Sequence, residues 1–236
     1  MTFTDTSSGR AGLSLAERIS FFIIGCYFII FTALVFFRQH AVSWMIFVTL
    51  FSICFVLVAF GLFCRSKGWQ KLANTCVAFG TIFALLFTAS PLTHAMLPLW
   101  RASIDPSLVE IDKLFGFSWP HILELTSRYP RFVDAIGYAY NSVAPQFAIL
   151  IIALGASGRM RDLQEFLLVV SLTSAATIGF WALFPAFGPT TIYDIDFETI
   201  YGFTPTITMD YGRDMVRMAL EGPGHIPPKN AMGLIA

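Results

Sequence analysis

Charge is what this chain has least of. Only 13% of its 236 residues are Asp, Glu, Lys or Arg, about half of the roughly 25% that a water-soluble domain carries. So sparse a charge density cannot coat a water-facing surface, which excludes an ordinary soluble globule. Net charge is formally zero, and this removes the electrostatic case for nucleic acid as a partner. Cysteine is scarce as well. Cys26, Cys54, Cys64 and Cys76 sit in or at the ends of apolar runs, with no CxxC pair among them. They read as small apolar packers and support neither a disulfide framework nor a zinc site. No P-loop, GxGxxG, HExxH or GxSxG stretch is present, so no cofactor and no metal is expected. Asp194, Asp196, Glu198 and Asp210 lie close in sequence but fit no calcium loop. Repeats, heptads and low-complexity tracts are missing too.

What the chain does have is apolar bulk. Hydrophobic residues make up 56% of it, 25 of them Phe, and mean hydropathy is +0.69. Five runs, 19–37, 44–64, 72–97, 135–154 and 166–187, are long enough to cross a bilayer, since a spanning helix needs about 20 predominantly apolar residues. Each is expected to be helical, because lipid offers the backbone no hydrogen-bond partner. The first run is too long for a cleaved signal peptide and reads as a retained span. The fold class is therefore all-α: a polytopic membrane bundle of five complete spans with amphipathic interfacial helices. It forms a single membrane domain over 19–236 after an N-terminal segment, 1–18. Pro91 is expected to end the regular part of the third span near Ser90. Tyr138, Tyr140, Asn141, Ser142, Pro145 and Gln146 make the fourth span too polar to face lipid throughout, so it is expected to face other helices or a cavity.

Charge position sets the expected orientation. Arg65, Lys67 and Lys71 crowd one short loop, Arg159 and Arg161 another, and Arg10 and Arg18 precede the first span, whereas the loop after that span holds only Arg38. Short cytoplasmic loops collect Lys and Arg. The N-terminus is then cytoplasmic, in a plasma membrane of the bacterial inner type, and the outer face holds a loop, 99–134, and a tail, 188–236. No span interior carries a charge, which argues against a transporter. Within the outer loop, 105–117 and Trp119–Ser127 have the pattern of short amphipathic helices lying on the membrane surface. In the tail, 210–220 is expected to be a helix, stopped by Gly222-Pro223-Gly224, with Asn230 placed to cap another.

Three stretches are candidates for chemistry. Phe184-Pro185-Ala186-Phe187-Gly188-Pro189 breaks the fifth span where it leaves the bilayer. Asp112-Lys113-Leu114-Phe115-Gly116 ends an amphipathic helix, with Gly116 suited to close it. Arg213, Arg217, His225 and Lys229 form the cationic cluster of the tail, and such side chains bind phosphate through charge-assisted hydrogen bonds. They are the candidate substrate-binding residues. His94 and His121 read as structural, and His40 as silent. No residue qualifies as catalytic.

In order, these stretches resemble the inositol phosphorylceramide synthase-like (inositolphosphotransferase) branch of the type-2 phosphatidic acid phosphatase superfamily. Asp112–Gly116 follows the third span, Phe184–Pro189 closes the fifth, Tyr193-Asp194 follows, and the chain runs into Gly233-Leu234-Ile235-Ala236. The resemblance covers 72–236. It implies a six-span, metal-free membrane enzyme that cleaves or transfers phosphate-headgroup esters of lipids through a histidine nucleophile, with membrane lipid as its partner. The family's Pro-Ser-x-His turn is expected just beyond Gly233–Ala236, and Lys113 lacks the Arg-Pro that would complete the first family motif. The reading is of a chain cut before its catalytic turn and inactive as 236 residues. The alternative is a non-enzymatic scaffold or subunit, to which a helix partner or a second copy supplies the missing span.

Overall fold

A computed structural model of the chain describes residues 12–39, 41–42, 44–97, 102–193, 217–218, 220–221 and 225–226. Among the described residues the helices with defined bounds are, in order, α1 (Leu15–Arg38), α2 (Trp44–Ser66), α3 (Gln70–Ala95), α4 (Asp105–Leu114), α5 (Trp119–Ser127), α6 (Pro130–Asn141), α7 (Val143–Ala156) and α8 (Met160–Leu183). A single 3-10 turn, Pro189–Thr191, comes after them. The only β pairing among the described residues is two residues long: β1 (Ala41–Val42) lies parallel to β2 (His225–Ile226), with Ala41 opposite His225. The all-helical membrane architecture expected from composition is the one adopted. Helices α1, α2, α3 and α8 are each long and apolar enough to cross a membrane, and α6 with α7 supplies a fifth crossing if the bent pair counts as one span.

Two spans depart from expectation. Helix α3 does not stop at Ser90 but continues through Pro91 to Ala95. Hydroxyls near the proline bond the backbone of their own helix: Thr93 Oγ1 donates to the Ser90 carbonyl at 2.7 Å, and Thr88 Oγ1 donates to that of Ala84. Neither carbonyl is the one Pro91 frees, that of Phe87; membrane helices tolerate an interior proline where neighbouring helices or local backbone adjustments answer the freed group. The expected fourth span, 135–154, is broken: α6 and α7 meet at Ser142 with a bend of 53°. Helix α6 also starts earlier, with Pro130 in its first turn, where the absent N–H costs nothing. Its polar side chains do not turn inward. Tyr138 is 78% exposed and Tyr140 54%, and Asn141 and Gln146 are exposed too.

The chain divides into two compact units. The first comprises Met1–Ile29, Trp44–Ala89 and Phe147–Ala175; the second comprises Ile30–Ser43, Ser90–Gln146 and Ala176–Ala236.

The first unit is built on close helix approach. Ala16, Ala78, Ile82, Ile151, Leu163 and Leu167 form its buried core, edged by Phe79, Phe147 and Phe166. Two glycines let α2 and α3 touch by backbone. A Cβ on Gly61 would lie 2.8 Å from the Ala73 carbonyl oxygen, and one on Gly80 would lie 2.9 Å from that of Cys54. Small residues at the contact are how membrane helices pack when no hydrophobic driving force separates them from lipid.

A polar knot ties the same unit together. Arg65 had the appearance of a loop charge, yet it is buried with Glu17. Its Nη2 donates to Glu17 Oε1 at 2.7 Å and its Nη1 to Oε2 at 3.1 Å. Nη2 also reaches Asn74 Oδ1 at 2.7 Å, while the Ser14 N–H donates to Glu17 Oε2 at 2.8 Å. Such a bidentate pair, with further hydrogen bonds to both partners, is the form in which a buried ion pair is tolerated. Lys67, Lys71, Arg159 and Arg161 remain in or beside the connections as expected. Farther along α1 and α8, Ser20 and Ser171 share a buried hydroxyl contact of 2.7 Å, and Tyr27 meets Ser174 at 3.2 Å.

Candidate functional site

The second unit contains both motif stretches and the described parts of the tail. Its local structure starts at α4, whose end is set by Gly116. The backbone turns into the left-handed region there, with φ 72°, and the Gly116 and Phe117 N–H groups donate to the Lys113 and Asp112 carbonyls at 3.0 and 2.9 Å. This double closure needs a residue without a Cβ penalty. The helix exposes Leu108, Ile111, Leu114 and Phe115. Lys113 pairs with Glu110 at 2.8 Å, and that hydrogen bond holds its ammonium above the ordinary lysine range. Water screens the pair, so it is a weak tether.

The start of α4 is held by a contact that the sequence did not announce. Asp105 is buried. Its Oδ2 accepts the Phe187 N–H at 2.8 Å and its Oδ1 accepts the Gly188 N–H at 3.1 Å. Ser103 Oγ accepts the Asp105 N–H at 3.0 Å and donates back to the carboxylate. One residue away, the Ile104 N–H donates to the Pro185 carbonyl at 2.9 Å. The 184–189 stretch is therefore more than a helix exit. Gly188, at φ 97°, takes a turn that presents two successive N–H groups to one carboxylate, and this pins the end of α8 to the start of α4. Trp181 completes the turn by donating Nε1–H to the Ala186 carbonyl at 3.1 Å and meeting the Phe187 ring edge-on. Leu97 and Met218 are buried together against Trp181 and Phe187.

The C-terminus of α3 lies in this unit as well. Arg38, at the end of α1, donates to the Met96 carbonyl at 2.7 Å and to the Ala95 carbonyl at 3.4 Å. A cation at a helix C-terminus answers both the unpaired carbonyls and the dipole. One turn earlier, His94 is 2% exposed, with Nδ1 3.0 Å from the Ser90 carbonyl oxygen.

Of the four residues expected to bind substrate, Arg213 and Lys229 lie outside the described residues. Arg217 is helical and exposed, next to the buried Met218. The His225 backbone pairs with Ala41 in the α1–α2 connection. Of the four, only the Arg217 side chain is among those described. Asp194, Asp196, Glu198, Asp210, Asn230 and most of 210–220 also lie outside them. Among the described residues no group of three or more His, Cys, Asp or Glu is placed to hold a metal ion.

Residues 106–218 match the PAP2 superfamily family model. The match covers just under half of the chain and supports the type-2 phosphatidic acid phosphatase superfamily. It begins one residue after Asp105, takes in Gly116 and the 184–189 turn, and ends at Met218, so both clasped ends of the second unit fall at or within it. No curated protein and no solved structure matches the chain. With its apolar helices and this match, the chain is an integral membrane protein.

Sequence reasoning missed Asp105, Ser103 and Arg38 as organisers of this region. Only Asp105 left a trace, in Ser103-Ile104-Asp105-Pro106, a serine and an acid set before a first-turn proline at a helix start.

Proposed function

We propose that this chain belongs to a membrane lipid phosphatase or phosphotransferase that handles phosphate-headgroup lipids at the outer leaflet. The observation that carries the reading is the PAP2 superfamily match over 106–218 on a chain with four to five membrane-crossing helices. A plasma membrane of the bacterial inner type, with the N-terminus cytoplasmic, follows from the Lys and Arg distribution. The β1–β2 pairing supports a common side for the α1–α2 connection and the tail. The inositolphosphotransferase branch rests on the order of the motifs. Arg213, Arg217, His225 and Lys229 are proposed headgroup contacts, on charge alone.

No Pro-Ser-x-His turn occurs in these 236 residues, so they are proposed to bind such lipids without turning them over. The test uses the purified chain in lipid nanodiscs and compares phosphatidic acid with phosphatidylcholine. Selective retention of phosphatidic acid, weakened at least tenfold by Arg213→Ala with Arg217→Ala, supports the reading. Equal retention of both lipids sinks it. Phosphate release abolished by His225→Ala would make these residues catalytic and overturn the proposed inactivity.

A second reading, a scaffold whose polar face docks a partner helix or another copy, is favoured by one observation. Tyr138, Tyr140, Asn141 and Gln146 are exposed on helices that count toward a span. Co-purification of a second membrane protein that is lost in Gln146→Leu, alongside equal lipid retention, would select it.

A further inference from the structure

Buried polar atoms in folded proteins almost always have a hydrogen-bond partner. Among the described residues three side-chain atoms have none: Ser90 Oγ, His94 Nε2 and Trp119 Nε1. All three belong to the second unit. Ser90 and His94 are four residues apart on α3, which puts them on one helix face, a turn apart.

The chemistry of His94 is set by its other nitrogen. Nδ1 lies 3.0 Å from the Ser90 carbonyl oxygen. A carbonyl only accepts, so Nδ1 carries the proton, and in the neutral ring Nε2 presents a bare lone pair. The neighbouring backbone supplies nothing to it. Carbonyls only accept, the Thr93 Oγ1 proton is spent on the Ser90 carbonyl, and proline at 91 has no N–H. Whatever completes the pair must donate to Nε2 and fit a hydroxyl on the other side. A carboxylate or a fully ionised phosphate only accepts and so fails that requirement. A metal ion would need further ligands, and the described residues offer no such group.

We propose that Ser90 and His94 receive a single hydroxyl group, which donates to His94 Nε2 and bonds Ser90 Oγ. Two sources share this chemistry: a bound water and the polyol headgroup of a membrane lipid. The second source rests on the lipid reading above. It sharpens that reading by assigning recognition of the headgroup's hydroxyls, rather than its phosphate, to the end of α3.

The full 236-residue chain, labelled with ¹⁵N-histidine and placed in phosphatidylcholine nanodiscs, provides the test, with His94→Gln assigning the His94 signals. The expected spectrum has the proton on Nδ1 and Nε2 accepting a hydrogen bond. If that bond is present in phosphatidylcholine alone, whose headgroup has no hydroxyl, water is the occupant. If it appears only on adding phosphatidylinositol, and not phosphatidic acid, the headgroup is. Ser90→Ala leaves the helix intact and is expected to weaken whichever bond is seen; in the headgroup case phosphatidylinositol retention falls about three- to tenfold, the range of one hydrogen bond. An unbonded Nε2 in every disc, or a proton found on Nε2, overturns the proposal. Phosphatidic acid retention measured on the same discs separates the two readings. Loss of selectivity there with the Nε2 bond intact removes the lipid reading and leaves a water site, whereas selectivity with an unbonded Nε2 removes only the hydroxyl site.

Discussion

The two units treat buried polarity in opposite ways. Among the described residues of the first, every buried polar side chain is answered. Glu17 and Arg65 bond each other, Ser20 pairs with Ser171, and Thr81 and Thr88 donate to carbonyls one turn back. In the second, Asp105 is fully engaged, yet Ser90, His94 and Trp119 each leave an atom unmatched. An unanswered buried polar atom costs about 1–3 kcal/mol. The unanswered atoms among the described residues thus all lie in the second unit, and the proposed hydroxyl site answers two of them. The larger share of the family-matched stretch, with 112–116 and 184–189, falls in the second.

The contrast breaks most visibly at Arg65. Arg65→Leu strands the Glu17 carboxylate, and stability is expected to fall by about 3–5 kcal/mol, read as thermal unfolding in detergent. Replacing both residues, as Glu17→Gln with Arg65→Met, should recover much of that loss. A small effect of the single change would mean that the knot does not hold the first unit. Next comes Asp105→Ala, which removes both acceptors from the 184–189 turn and is expected to cost about 2–3 kcal/mol. Hydrogen exchange at the Phe187 and Gly188 amides should speed up, with first-unit amides unchanged. Gly80→Val forces α2 from α3 and is expected to cost about 1–3 kcal/mol as overpacking; an unchanged melting temperature would refute close backbone contact. The smallest expected effect is Ser20→Ala, about 1 kcal/mol. Adding Ser171→Ala should return part of it, since removing both partners leaves no orphan.

Much of the local structure was legible in the residues themselves. Hydropathy gave the long helices, because each must bury its own backbone in lipid. The short helices α4 and α5 followed from their spacing of apolar residues, and the end of α4 followed from a glycine where φ must be positive. Proline misled at position 91, because a membrane helix tolerates an interior proline that would end a helix in water. The break at Ser142 has its local cause in Pro145, which lacks the N–H that would bond the Asn141 carbonyl and crowds that carbonyl; the long apolar run that follows it hid this signal.

The candidate site was far less legible. Arg65 reads as an ordinary loop cation until Glu17, 48 residues away, is seen against it. Asp105 bonds residues 82 and 83 positions distant. His94 shows its significance only when Nδ1 is seen bonded and Nε2 is not. The sequence alone determined that this is a bundle of membrane helices, with amphipathic helices between the third and the later spans, because backbone satisfaction in lipid and side-chain periodicity are local properties. Tertiary structure alone decided which charges are buried, what clasps the turn after α8, and which polar atoms await a partner. Each of these depends on a hydrogen bond between residues that chain distance does not relate, or on its absence.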